Sequence, residues 1–267
     1  MKLLLNKVAI VTGAAHPMGM GFAAGLKLAQ AGAKVILTDL GRNEQELETL
    51  EQRVSEISEL GGNAIAMAVD ITERSQIDAC VEKVIERYGQ IDILFNNAGS
   101  PAGCGEFLNM TDQQWDISYQ VNVKGTADFC QAVIPVMIEN GNGSIINNSS
   151  LSGLAAIENM AAYTATKFAV VGLTKALACE FGKNNIRVNS VCPGNIWTQM
   201  GQIEAELLQK DGQSIADVKK GMSAKVPLGR CGVSEDVANA VVYLASDMAS
   251  YVSGVAMPVS GGMAPGL

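Results

Sequence analysis

The strongest constraint on how this chain can fold is a rhythm. Short continuous apolar runs alternate with longer segments whose apolar residues return at helical spacing. Runs of this kind suit strands buried on both faces, as in a parallel sheet covered by helices. Seven are predicted as strands: Val8 to Thr12, Lys34 to Asp39, Ala64 to Asp70, Ile91 to Asn96, Ser144 to Ser149, Arg187 to Pro193 and Val255 to Val259. Between them Phe22 to Ala31, Glu44 to Glu59, Arg74 to Tyr88 and Asp236 to Ala245 are predicted as helices. Parallel strands need long, right-handed crossovers, so the expected architecture is a doubly wound α/β fold in one large domain. With 48% hydrophobic and 17% charged residues, the chain has the material for a large core. One stretch breaks the rhythm: Gln199 to Lys225 is polar and interrupted by Gly201, Gly212 and Gly221. It reads either as an insertion over a site or as a plain pair of surface helices.

Charge and composition exclude several functions. Nineteen Lys+Arg against 27 Asp+Glu give a net charge of −8, which argues against a nucleic-acid partner. The six cysteines form no CxxC pair and no ligand cluster, so neither a metal site nor a disulfide scaffold is expected, and a reducing, cytoplasmic setting is. Asn6 and Lys7 cut short the apolar N-terminus, which is read as the lead into the first strand rather than a signal peptide. No apolar run approaches the roughly 18 residues needed to cross a bilayer, so a soluble protein without a membrane partner is expected. His16 is the only histidine, which leaves little support for a Ser-His-Asp hydrolase.

Directly after the first strand stand Gly13, Gly19 and Gly21, followed by a helical segment. Glycines at a strand-to-helix turn let backbone approach a pyrophosphate, which the free amides and dipole of the helix N-terminus stabilise. Asp39 ends the second strand 18 residues after Gly21, where an acid can bind both hydroxyls of an adenosine ribose and would repel a 2′-phosphate. NAD is therefore favoured over NADP.

Four motifs in order, Thr12-Gly13 with Gly19-Met20-Gly21, Asn96 to Gly99, Tyr163 with Lys167, and Pro193-Gly194, resemble those of the short-chain dehydrogenase/reductase family over essentially the whole chain. The resemblance implies a Rossmann-like single domain over residues 1–267 with a seven-stranded parallel sheet and a substrate lid at about 197–225. It also implies a homo-oligomer, commonly a tetramer assembled through helices beside the active site. Carried over, the cofactor residues are Gly13, Gly19, Met20 and Gly21 of the turn, Asp39 with Leu40, and Asp70 with Ile71 at the adenine. Asn97, Ala98 and Gly99 line the adenosine ribose. Pro193, the carbonyl and amide of Ile196 and the Thr198 hydroxyl lie at the nicotinamide carboxamide, although Asp70 could simply close a strand and Thr198 could cap a helix. Two positions depart from the pattern: five residues rather than the usual three separate Gly13 from Gly19, and Ser260 stands where an aspartate usually precedes two glycines.

Oxidation of a secondary alcohol needs a base for the hydroxyl proton. Tyrosine, with an ordinary pKa of about 10, becomes one beside a lysine cation. Tyr163 and Lys167 are four apart, so on a helix they share a face. Ser150, 13 residues before Tyr163, matches the family's serine and would donate to the reacting oxygen. Ser149 and Ser152 are its neighbours and competitors. Asn122 matches the family's asparagine, which supports a water linking the lysine to solvent, or else satisfies a helix kink. Ser150, Ser152, Asn159, Tyr163, Asn195, Trp197 and Met200 are the expected substrate contacts, with Trp197 and Met200 also readable as packing.

The expected activity is NAD-dependent hydride transfer between the cofactor and a secondary alcohol or ketone, on a small polar alcohol, diol or polyol. Alternatives are a more hydrophobic cyclic substrate, a ketoacyl or other carbonyl reductase that would normally prefer NADPH, and an NAD(H)-sensing binding protein without turnover.

Overall fold

A computed structural model of the protein describes residues 2–209 and 212–263, apart from the side chains of residues 200, 203, 204, 207 and 208. The apolar runs form β1 (Val8–Thr12), β2 (Lys34–Asp39), β3 (Asn63–Ala68), β4 (Ile93–Asn96), β5 (Gly143–Asn148), β6 (Ile186–Pro193) and β7 (Ala256–Val259). They build one sheet in the order β3-β2-β1-β4-β5-β6-β7. Every pairing is parallel. The chain winds outward from β1 in one direction, then returns to β4 and winds in the other. The loops leaving β1 and β4 therefore diverge, and the crevice between them is where an open α/β sheet binds its ligand.

Helices cover both faces because each presents an apolar stripe. On one face α1 (Met20–Gln30), α2 (Glu44–Glu59) and α9 (Ser234–Ala245) bury Phe22, Leu28, Leu50, Ile57, Val237 and Val241 against Val11, Leu37 and Phe95. On the other, α3 (Arg74–Tyr88) and α5 (Thr126–Glu139) enclose Ile10, Leu94 and Ile145 with Ile77, Val84, Phe129 and Val133, and α6 (Ala161–Phe181) adds Leu177 and Ala178. Close approach of α1 to the sheet depends on Gly25, where an added Cβ would lie 2.5 Å from Leu37 Cδ2.

Between α4 (Asp112–Tyr119) and α5 the helix does not break but widens into a π-helical turn at Gln120–Gly125. Such a turn accommodates one extra residue and is characteristic of functional sites. Polar segment 199–225 forms two helices, α7 (Gln199–Leu208) and α8 (Ile215–Ala224). Ala205, Val218, Met222 and Cys231 make a small apolar cluster there, and Trp197 packs against it. The segment is thus helical on either reading of its sequence.

Sequence boundaries differ from the structure where turns capture strand ends. β3 stops at Ala68, two residues short of Asp70, because Asp70 Oδ1 accepts from Thr72 N at 3.0 Å and the Asp70 amide donates to Gln76 Oε1 at 2.9 Å. No helix among the described residues is long and apolar enough to cross a membrane.

Phe95 is fully buried at the centre of the sheet. Phe95→Ala should lower unfolding free energy by about 3–5 kcal/mol, read from urea denaturation, because the void beneath α1 and α9 can collapse only partly.

Candidate active site

Two loops leave the carboxyl ends of β1 and β4, and they are locked together by backbone and amide groups. Asn97 Nδ2 donates to the carbonyls of Thr12 and Gly13 at 3.0 and 2.9 Å. In return Thr12 Oγ1 accepts from the amides of Asn97 and Ala98, each at 3.0 Å. Gly13 takes φ +66, and a Cβ there would lie 2.8 Å from Ala98 Cα. At Gly21 the clash would be worse, 2.3 Å from Gly13 O. Only glycine permits this interlock.

The five residues from Ala14 to Met18 fold into a small turn of their own. His16 O accepts from Gly19 N at 2.8 Å, and His16 Nδ1 accepts from Met18 N at 3.2 Å. Burial, then the charge of Arg53, lowers the His16 pKa and keeps the ring neutral, as an accepting Nδ1 requires. Met18 O is fastened to α9 by the Ser234 hydroxyl at 2.6 Å. The extra length is thus absorbed outside the glycine cradle, and His16 serves as a loop anchor.

Gly19 is the N-cap of α1 with no side-chain cap bond, and Met20 begins the helix. The helix N-terminal amides there face the glycine turn, the arrangement that stabilises phosphate oxygens. Asp39 stands alongside: its carboxylate accepts from Ala15 N and Leu40 N, both at 2.8 Å. Cradle, uncapped helix end and oriented carboxylate together fit a dinucleotide. Ile71 is buried, and Gly125 leaves room for it: a Cβ at that glycine would lie 2.8 Å from Ile71 Cδ1.

Beyond β5, α6 carries Tyr163 and Lys167 on one face, with Lys167 Nζ 5.4 Å from the centroid of the Tyr163 ring. Lys167 is 4% exposed and donates to the Asn148 carbonyl at 2.9 Å. Burial lowers its pKa to about 8, opposed by the nearby Cys192. Asn122 reaches the same spot from the π turn. A methyl group added at Gly99 would stand 3.2 Å from Asn122 Oδ1 and 3.6 Å from Lys167 Nζ. The Asn122 amide is held by Ser100 N at 2.8 Å, Ser100 O at 3.0 Å and Thr166 Oγ1 at 3.2 Å, so the kink and the site share one residue.

The three serines separate by geometry. Ser149 points to the α6 side and donates to Lys167 O at 3.0 Å. Ser150 is half-buried and caps the 3₁₀ turn Leu151–Gly153, its Oγ accepting from Ser152 N at 3.1 Å. Ser152 is buried, its hydroxyl 3.9 Å from Met160 Sδ.

The remaining predicted contacts are more dispersed. Asn159 is exposed, in the left-handed region at φ 59, and its carbonyl accepts from Gly105 N at 2.7 Å. Asn195 Nδ2 donates to Met222 O at 3.4 Å. Trp197 is stacked under Lys219, 4.3 Å from Nζ to ring centroid. The side chain of Met200 lies outside the described residues. Thr198 Oγ1 caps α7 through Gly201 N at 3.2 Å, yet its O–H stays available to donate. The Ile196 carbonyl already accepts from Thr198 N at 2.9 Å. Beside Pro193, the Gly194 amide donates to Val259 O at 3.1 Å, and a Cβ on that glycine would lie 3.0 Å from Ser260 Cβ. Ser260 thus backs the Pro-Gly turn.

Thr12, Ser100, Asn148 and Thr166 were not anticipated as site residues. Thr12 stands in the glycine-turn motif itself and Ser100 directly follows Asn96 to Gly99, and those positions are the available signal.

Residues 13–264 match the family profile described as "Enoyl-(Acyl carrier protein) reductase". The 3-oxoacyl-[acyl-carrier-protein] reductase FabG of Thermotoga maritima is 39% identical over 97% of this chain and 98% of its own. An NAD+-bound xylitol dehydrogenase superposes with TM-score 0.89 at 31% identity, covering 97% of this chain and 99% of that one. A variant of actinorhodin polyketide ketoreductase with NADPH superposes with TM-score 0.90 at 34% identity, covering 96% and 97%. The seven-stranded parallel sheet with a crevice at its switch point has the architecture of a nucleotide-binding fold, and the relatives place it in a class of nicotinamide-dependent oxidoreductases. This chain belongs to the short-chain dehydrogenase/reductase family.

With Lys167 buried as described, its ammonium should titrate near pH 8 rather than at the ordinary 10.5. Isotope-edited NMR of the lysine ε-positions, with Lys167→Arg to assign the resonance, checks this value.

Proposed function

We propose that the protein is an NAD-dependent oxidoreductase that interconverts a secondary alcohol and its ketone, acting on a small polar alcohol, diol or polyol. The observation that carries the cofactor half is Asp39. Its carboxylate is fixed by the Ala15 and Leu40 amides at the end of β2, where a ribose diol can donate to it and a 2′-phosphate would meet a like charge.

The bound nicotinamide supplies the acceptor or donor of hydride. Everything else is work for the chain. Tyr163 takes the hydroxyl proton when the alcohol is oxidised and returns it when the ketone is reduced. Lys167, as a cation beside the ring, favours the phenolate and holds the nicotinamide-side ribose. Ser150 orients the reacting oxygen by donating to it. Asn122, next to Lys167 Nζ, supports the water through which the proton reaches solvent.

Substrate specificity falls to the segments around Ser152, Asn159, Asn195, Trp197 and Met200, with α7 and α8 as the lid over 197–225. The polar side chains of Asn159 and Asn195 suit a hydroxylated substrate. A homo-oligomer, a tetramer in this reading, is supported by the exposed Trp115, Ile117 and Tyr119 on α4 and Phe168 on α6. A reducing, cytoplasmic compartment is part of the same reading, resting on the spacing of the six cysteines in the sequence. A second reading, reduction of an acyl-thioester ketone, is favoured by the 39% identity to the Thermotoga reductase.

A panel of secondary alcohols, polyols, hydroxy acids, cyclic alcohols and 3-ketoacyl thioesters, assayed with each cofactor in its appropriate redox state, separates the two readings. Turnover of a polyol or diol with NAD is expected, and turnover confined to ketoacyl thioesters with NADPH would replace the first reading with the second. Asp39→Asn should narrow the NAD-over-NADP preference in kcat/KM by about 10- to 100-fold, since a charge-assisted hydrogen bond and the like-charge repulsion are both lost. For Tyr163→Phe, the expectation is turnover down by about 10²–10⁴-fold with NADH affinity retained, as measured by fluorescence titration.

A further inference from the structure

Asn148 closes β5 at a position where its surroundings call for an apolar side chain. Ile146, two residues earlier on the same sheet face, and Val191, its partner across β6, are both fully buried in the apolar core. Asn148 itself is 9% exposed. Its Nδ2 donates to Asn97 Oδ1 at 3.1 Å, and its backbone carbonyl accepts Lys167 Nζ.

The orientation of the amide is settled by its neighbour. Asn97 Nδ2 is committed to the Thr12 and Gly13 carbonyls, so Asn97 turns its oxygen toward Asn148 and only the Asn148 nitrogen can meet it. Asn148 Oδ1 is left buried with no hydrogen-bond partner. Native structures seldom leave such an acceptor unmet unless a ligand or water supplies the donor.

Its place in the sheet says which part of a ligand that is. Asp39 on β2 marks the adenosine end of the crevice, and β5 lies three strands away, roughly 14 Å at about 4.8 Å per strand. Lys167, bonded to the carbonyl of Asn148 itself, marks the nicotinamide end. We propose that Asn148 Oδ1 accepts a hydrogen bond from a hydroxyl of the nicotinamide-side ribose, making Asn148 a cofactor-binding residue whose Nδ2 also braces the glycine turn through Asn97. This rests on the nicotinamide cofactor and on the end assigned to Lys167, and is indifferent to the choice between NAD and NADP.

Asn148→Leu removes both functions at nearly constant volume, and Asn148→Ala makes the same comparison should leucine overpack the site. Binding of NADH, ADP-ribose and ADP to the full-length protein, measured by calorimetry, separates the two roles. Loss of the brace weakens all three ligands alike and cancels in their ratios, whereas the ribose contact exists only for NADH and ADP-ribose. NADH and ADP-ribose should each lose about tenfold more affinity than ADP, the worth of one buried hydrogen bond. Equal losses for all three, or no loss, would overturn the ribose contact, and a loss confined to NADH would move the donor to the nicotinamide amide. Failure of the unaltered protein to bind NADH or its NADP counterpart would instead overturn the cofactor reading beneath it.

Discussion

The site depends on one clasp, the grip of Asn97 on the Thr12 and Gly13 carbonyls across the switch point of the sheet. Diverging loops at a switch point leave unpaired backbone groups on both sides of the crevice, and buried carbonyls of that kind need donors. A single side-chain amide satisfies two of them, while the Thr12 hydroxyl satisfies two amides of the opposing loop. The phosphate turn is thereby held by the loop that leaves β4, the strand next to β1 in the sheet, and not by its own sequence alone. Removal of Cβ at Gly13 and Gly21 is what lets these backbones come close enough for the clasp to form.

A second constraint is electrostatic. Lys167 is buried among a backbone carbonyl, a tyrosine ring and the Cys192 thiol, with no carboxylate paired to it among the described residues. Burying an ammonium without a counter-ion is costly, and the depressed pKa expresses that cost. The same desolvation raises the Cys192 thiol, so the thiol stays neutral beside the lysine. A lysine poised in this way can answer a change of charge on its neighbour, which an exposed one, screened by water, does far less.

Much of this architecture was legible in the sequence. The ends of β1 and β2 and the spans of α2 and α3 coincide with the periodicity, because strong apolar runs and helical stripes leave few alternatives. Asp39 and the glycines were legible because their chemistry needs those residue types at that spacing. Asn148 was not: an asparagine at a strand end usually reads as a turn residue, and only the hydrogen-bond accounting around Asn97 shows that its oxygen is unmet. The polar stretch from Gln199 to Lys225 left two readings open for a similar reason, since amphipathic pattern fixes the helices but not what they cover.

The π turn at Gln120–Gly125 carries a consequence for how this chain can vary in length. Residues 112–139 form a nearly unbroken helical rod, and the widened turn holds one residue more than an α-helix would. Deleting a single residue there would restore ordinary helical hydrogen bonding, a local gain. It would also rotate one half of the rod against the other by about 100°. Either Asn122 would swing away from Lys167, or Phe129 and Val133 would leave the core. Local helix regularity and site geometry are therefore in direct opposition at this turn, and the shorter helix is closed to the chain even though nothing in its backbone forbids it.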